Sequence, residues 1–339
     1  MSNNPKRHHH LAQAIQRNFL EKDQDKLWWY SREKDAYEER TPYGIAHGRH
    51  TYTLQAAQGE ARYALERAFS RVEDKASPVL RKLAQSEEIS QEERNSVAEL
   101  VGFQYLRTPS KIALIQKLRD ISGQHFLEDF VRHLGRMTPE EFTAYVRGYE
   151  SKSGSAMSLS QAELVESLTK RPPKIVSTKE ATLDSLVELG TDIAVEYSKR
   201  SWIIMHAPAD SSFITSSEGI FSSGQKSERG TSPGPGVPGV VTVFPFARHT
   251  ALLIEGAGPS TVRHAQIHKQ NVRDINDQLA LVSGEIYGSP RRLIESIVER
   301  NQLAGTRYEL VPDHEYLKGH LAELLRKNTD APFSPYSPQ

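Results

Sequence analysis

The sequence predicts an α+β protein, a large helical domain around a small, mainly antiparallel sheet with an N-terminal hairpin. Three observations carry that prediction. Runs of strand length and β-branched or aromatic composition, bounded by Gly, Pro and Asp, follow one another at residues 202–205, 213–214, 240–246 and 250–254. Elsewhere apolar residues recur at spacings of three and four, several times after a Ser or Thr that stands three residues before a Glu. Two further β-type runs, 26–30 and 48–54, lie near the start and predict the hairpin.

In chain order, residues 1–57 hold Lys6, Arg7, three consecutive histidines, Arg17 and the hairpin. Residues 58–200 read as helical. Ala61, Leu65, Phe69 and Val72 form one stripe, with a kink or break expected at Pro78 before Val79, Leu80 and Leu83 continue it. Ser90 and Glu93 form a capping box for a helix through Leu106 that ends by Pro109, apolar on most sides and therefore central. Helices are expected at 111–121, at 125–134, from Thr138-Pro139, after Ser160 with Glu163 and after Ser177 with Glu180, with a linker at 151–158. The sheet region, 201–255, is interrupted at 222–239 by a Ser-, Gly- and Pro-rich stretch that cannot bury a core and reads as a flexible insert. From about Thr261 an amphipathic helix carries Val272, Ile275, Leu279, Val282 and Ile286, its stripe extending back onto His268 and His264. Helices from Ser289-Pro290 and over 314–326 complete a region 256–327, and the Pro-rich tail 328–339 reads as disordered. The expected organisation is one domain through residue 327.

Composition removes several function classes. The 43 basic and 43 acidic side chains balance, so no global field marks a nucleic-acid or membrane binder, though a local basic cleft stays open. The chain has no cysteine, which excludes disulfides, Cys-ligated zinc, iron–sulfur clusters and thiol nucleophiles. The start is polar and no apolar run reaches spanning length, so a soluble, cytoplasmic protein is expected. Dinucleotide and Walker-type glycine patterns are missing, and so is the serine-hydrolase elbow.

Four constellations remain. Lys6 and Arg7 beside His8 and His9 could hold a metal or serve as acid and base around a phosphate, or could be a solvated basic end. Adjacent strand residues point to opposite faces, so only alternate histidines can converge. Gln104 and Arg107, three apart, share a face of the helix expected to be central. A buried guanidinium requires an anion or several carbonyls, so Arg107 reads as a lock on nearby carbonyls or as a ligand-binding cation. Residues 215–219 end a strand-like run with small hydroxyls that face a cleft or make an ordinary turn. His264 and His268, one turn apart on a helix, would suit a metal, without the Glu of the zinc-protease pattern.

The order of these motifs resembles the bacterial and fungal family catalogued as domain of unknown function 4238. That family opens with a double histidine followed by Tyr and Pro and closes the motif with Leu-Arg-Asn-Phe. Here His8-His9 and Arg17-Asn18-Phe19 match, whereas His10, Ala12 and Gln16 depart. The stretch from Lys26 to Tyr30, Gln104-Tyr105-Leu106-Arg107-Thr108-Pro109, Phe213-Ile214-Thr215-Ser216 and Phe244-Pro245 resemble it in order and spacing over nearly the whole chain. After Ser216 the family continues Asp-Asn-Pro, where this chain has Ser217-Glu218-Gly219. The resemblance implies no established activity. It singles out His8, His9, Gln104 and Arg107, and implies that, where that Asp is catalytic or a metal ligand, either Glu218 takes over with a shifted carboxylate or this member is altered or inactive.

The expected function is a nuclease-like hydrolase directed at phosphodiesters or nucleotides, as an accessory or phage-defence effector. His8, His9 and Glu218 are its candidate catalytic groups, and Lys6, Arg17, Gln104, Arg107 and Ser216 its candidate substrate-binding groups. Nucleic acid or nucleotide would be the partner, and a divalent metal ion would be needed where histidine and carboxylate converge. The alternative is a non-catalytic interaction module whose His, Gln and Arg residues form a buried structural network. An open cleft with unpaired polar groups favours the first, and mutual hydrogen bonding favours the second.

Overall fold

The computed structural model describes residues 7–223, 239–255, 260–306 and 308. Most of the insert expected at 222–239, the helix expected at 314–326 and the tail from 328 lie outside the described residues. The fold is α+β, its sheets small and mostly antiparallel. The described residues form two compact units, one of residues up to 114 together with those from 179 onward, the other of residues 115–178.

In the first unit β1 (Arg7–His9) leads into the short α1 (Gln13–Arg17). A hairpin of β2 (Leu27–Ser31) and β3 (Ala36–Arg40) follows, and β4 (His47–Arg49) returns to pair antiparallel with β1, placing His9 opposite His47. The pairing expected between 26–30 and 48–54 is thus corrected: β2 pairs with β3, Trp28 opposite Glu39 and Tyr30 opposite Tyr37. The strand Ala-Tyr-Glu-Glu-Arg is hard to recognise because it is a charged sheet edge, where charge blocks further pairing.

Two long helices carry the centre of this unit. α2 (Ala64–Ala84) runs through Pro78 without the break that the sequence left open, Pro78 lying on the exposed side while Ala76, Val79 and Leu80 keep the buried stripe. α3 (Gln91–Leu106) begins at the Ser90 capping box, both of whose hydrogen bonds are present. α4 (Pro109–Leu134) is one helix where two were expected, at 111–121 and 125–134. Gly123 does not break it: a Cβ there would lie 2.5 Å from the Ile175 side chain, so the glycine serves close packing within the second unit.

That unit continues with α5 (Pro139–Ser153) and α6 (Gln161–Lys170), each opened by a complete capping box, at Thr138 and Ser160. Gln161 Nε2 donates to the carbonyls of Leu134 and Met137, tying α6 to the end of α4.

The chain rejoins the first unit at α7 (Lys179–Lys199), which packs on α3. The approach is close enough that a Cβ on Gly102 would stand 2.7 Å from the Gly190 carbonyl and 2.9 Å from the Ala194 amide. Gly102→Ala is therefore expected to cost about 1–2 kcal/mol, overpacking outweighing the gain in helix propensity. Urea denaturation measures this, and an unchanged midpoint would contradict the tight contact.

Beyond α7 the chain forms β5 (Trp202–His206), β6 (Thr215–Ser216), β7 (Phe221–Ser223), β8 (Val241–Ala247), β9 (Thr250–Ile254) and β10 (Val262–Gln266). α8 (Lys269–Leu281), β11 (Glu285–Gly288) and α9 (Arg291–Arg300) complete it. One sheet has the order β10-β5-β9-β8-β7 and another β3-β2-β11-β6, so residues 215–216 leave the first for the second. Residues 262–266 are a strand parallel to β5, not the helix expected from 261; α8 starts only at Lys269. His264 and His268 therefore do not share a helical face. Among the described residues no helix is long and apolar enough to cross a membrane.

Candidate functional site

β1 alternates as a strand must. His8 and the following His10 are buried, at 0 and 6% exposure, while His9 is half-buried on the other face. After His10 the chain leaves the ladder for α1, and the His10 carbonyl would be a buried orphan without side-chain donors. The last turn of α3 supplies them. Gln104 Nε2 donates to that carbonyl at 2.8 Å and Arg107 Nε at 3.0 Å, with Arg107 Nε also 3.1 Å from Gln104 Oε1.

The rest of Arg107 faces α2 and the loop after β4. Its Nη1 donates to Glu73 Oε1 at 2.6 Å, its guanidinium lies 5.6 Å from the Phe69 ring, and its carbonyl accepts the Tyr52 hydroxyl at 2.6 Å. Burial works against this charge, Glu73, Tyr52 and Glu66 together more than offset it, and the Arg107 pKa is raised above its ordinary value.

His8 packs on Tyr52, ring centroids 5.6 Å apart, and its Nδ1 accepts the Tyr52 N–H at 3.0 Å. Glu66 Oε2 lies 3.7 Å from that same nitrogen. Because the lone pair there already takes a hydrogen, Nδ1 carries no proton and the two do not form an ion pair. Glu66 Oε2 and Arg107 Nη2 are buried atoms without a hydrogen-bond partner among the described residues.

Burial, partly opposed by Arg107, raises the Glu66 carboxyl from 4.5 to about 7. The stability of the protonated form is present below the ordinary pKa and is lost as pH rises through about 7. Glu66→Gln is accordingly expected to match the parent protein near pH 5 and to exceed it by about 2 kcal/mol at pH 8.5. Equal stability differences at the two pH values would refute the buried, proton-holding carboxyl.

Glu218 is also buried, and hydroxyls take up its carboxylate: Thr108 Oγ1 at 2.9 Å, Ser110 Oγ at 2.7 Å and Tyr308 at 3.3 Å. Ser216 Oγ accepts the N–H groups of Glu218 and Gly219 at 3.2 and 3.0 Å, closing a turn in which Gly219 has φ +70°. A Cβ at Gly219 would come within 3.0 Å of Leu11 and 3.3 Å of Gln104 Nε2. The 104–110 segment thus holds the N-terminal strand with Gln104 and Arg107 and the 216–219 turn with Thr108 and Ser110.

His9 lies apart from Glu218 in its contacts. Its Nε2 is 3.3 Å from the Tyr43 carbonyl and its ring packs against His47 at 5.7 Å. Burial, only partly offset by that carbonyl, lowers the His9 pKa to about 4, a weak base for work near neutrality. Arg17 is exposed and donates to Gln13 Oε1 at 3.1 Å. Lys6 lies outside the described residues. Among the described residues no three His, Asp or Glu side chains form a group that could hold a metal ion.

Glu66, Glu73, Tyr52, Thr108 and Ser110 join the site without having been singled out in the sequence. The available signal was Glu66 and Glu73, two turns apart and flanking Phe69 on the face of a helix with an apolar stripe. The family model described as Protein of unknown function (DUF4238) matches residues 7–291 of the chain. No curated protein and no solved structure matches it.

Proposed function

The chain belongs to that family, and we propose, from the geometry of its polar residues, that it works as a non-catalytic interaction module. The observation that supports this reading is the shared use of the His10 carbonyl by Gln104 and Arg107. Both side chains spend donors on the protein's own backbone, with Glu73 balancing the guanidinium. Glu218 is likewise surrounded by hydroxyls of the same chain. The residues expected to bind and cleave a phosphodiester act in this reading as a clasp on the N-terminal strand, and such a network needs no ligand.

One observation favours the hydrolase as a second reading. Glu66, with its raised pKa and unpartnered oxygen, shares α2 and the neighbourhood of Arg107 Nη2, an arrangement suited to proton transfer beside an anion. In that case Glu66, not Glu218, is the acid–base carboxyl.

A turnover screen separates the two. Wild-type protein and its His8→Ala, His9→Ala and Glu66→Gln variants are assayed on single- and double-stranded nucleic acids and nucleotides with Mg²⁺ or Mn²⁺, alongside thermal melts. The module reading expects no turnover and a clear loss of stability in His8→Ala, whose ring is fully buried. Wild-type turnover abolished by His9→Ala or Glu66→Gln without a fall in melting temperature would overturn it.

A further inference from the structure

The edge of the five-stranded sheet carries a second pair of histidines, far in sequence and unrelated to the clasp. β10 runs parallel to β5 with Gln266 opposite His206 and His264 opposite Ile204, so His206 and His264 are diagonal neighbours on one face. His206 Nε2 lies 3.0 Å from His264 Nδ1, the rings 5.3 Å apart and inclined by 24°. Ser86 Oγ stands 3.3 Å from the same His206 nitrogen. His264 is exposed and His206 half-buried, so the meeting point of the two nitrogens is open to solvent.

We infer that His206 and His264 form a binding site for one divalent first-row transition-metal ion, with copper(II) the best fit. Two imidazole nitrogens about 2.0–2.1 Å from one ion are about 2.9 Å apart at a right angle and about 3.4 Å apart at the tetrahedral angle. The observed 3.0 Å, a hydrogen bond between the rings, lies within that span, so small ring rotations suffice to place one ion between them, and copper(II) is the divalent first-row ion that such nitrogen donors bind most strongly. Both donors are nitrogen and among the described residues no carboxylate joins them in a metal-ligating group, which disfavours magnesium and calcium. On binding, the ring that donates the hydrogen bond changes tautomer, its proton passing through solvent to its other ring nitrogen, so that both facing nitrogens present lone pairs to the ion, and Ser86 Oγ and water complete the shell. Strand pairing already holds both side chains side by side, so the second imidazole adds its bond at little cost in entropy.

The test is calorimetric titration of the untagged full chain with CuCl₂, with copper electron paramagnetic resonance on the same samples. Wild-type protein is expected to show a site with two nitrogen donors in the equatorial plane. His264→Ala and His206→Ala should each weaken that site about 100-fold, the loss expected when a two-point attachment becomes a single one. His268→Ala, an exposed histidine outside the pair, should leave it unchanged. Circular dichroism confirms that His264→Ala, altered only at an exposed edge position, remains folded. An isotherm in His264→Ala superimposable on wild type, or an equal loss in His268→Ala, would overturn the assignment. Neither outcome bears on the clasp, which shares no residue with this pair.

Discussion

Arg107→Leu is expected to lower the stability of the folded chain by about 3–5 kcal/mol, the range for removing one partner of a buried ion pair. The arginine is 1% exposed, and three groups depend on it: Glu73 Oε1, the His10 carbonyl and Gln104 Oε1. Leucine fills much of the volume and supplies no donor, so Glu73 retains its charge without a partner and the shared carbonyl loses one of its two bonds. Glu73 is 22% exposed and water can reach it, which places the effect toward the lower end of that range. For a fold of this size the corresponding fall in melting temperature is on the order of 10 °C. Urea denaturation measures it directly, and the double variant Arg107→Leu/Glu73→Gln should recover part of the loss, because the stranded carboxylate is gone. A melting temperature unchanged in Arg107→Leu would remove Arg107 from the structural network and return it to a ligand-binding role.

The dependence of the clasp on Arg107 was half legible. Spacing alone places Gln104 and Arg107 on one helical face, and the rule that a buried guanidinium needs carbonyls or an anion anticipates both partner types that it finds. Which carbonyl and which anion could not be read, since His10 and Glu73 are 97 and 34 residues away and nothing local specifies those contacts. The same divide runs through the fold. Helix starts at Ser90, Thr138 and Ser160 follow from four-residue capping patterns, a local signal. β3 and β10 are edge strands whose exposed polar residues blur the apolar alternation, and only their neighbours make them strands. The His206–His264 pair is a product of that parallel pairing, so a helical reading of 261–268 hid it.

Acidification probes the clasp from its other end, through His10. Burial, with Arg107 next in weight, lowers the His10 pKa from 6.5 to about 3. The unfolded chain takes up this proton near pH 6.5, whereas the folded imidazole refuses it until about pH 3, so stability is lost as pH falls through that window. For His10 alone the loss is about 2 kcal/mol at pH 5 and about 3 kcal/mol at pH 4. His9, lowered to about 4, acts in the same direction. Glu66 acts in the opposite one, gaining stability as pH falls from about 7 toward 4.5, and so offsets roughly half of what the two histidines lose down to pH 5. Wild-type stability should therefore fall gently between pH 7 and 5 and more steeply below, where the Glu66 gain is used up. Glu66→Gln, with the compensating group removed, should decline from pH 6.5 onward. His10→Phe, which keeps an aromatic ring in the buried position and has nothing to titrate, should move the steep fall to lower pH. Urea denaturation at pH 7.5, 6, 5 and 4 on the three proteins resolves these curves; a His10→Phe profile that overlays wild type would show that the buried imidazole does not set the acid limit of the fold.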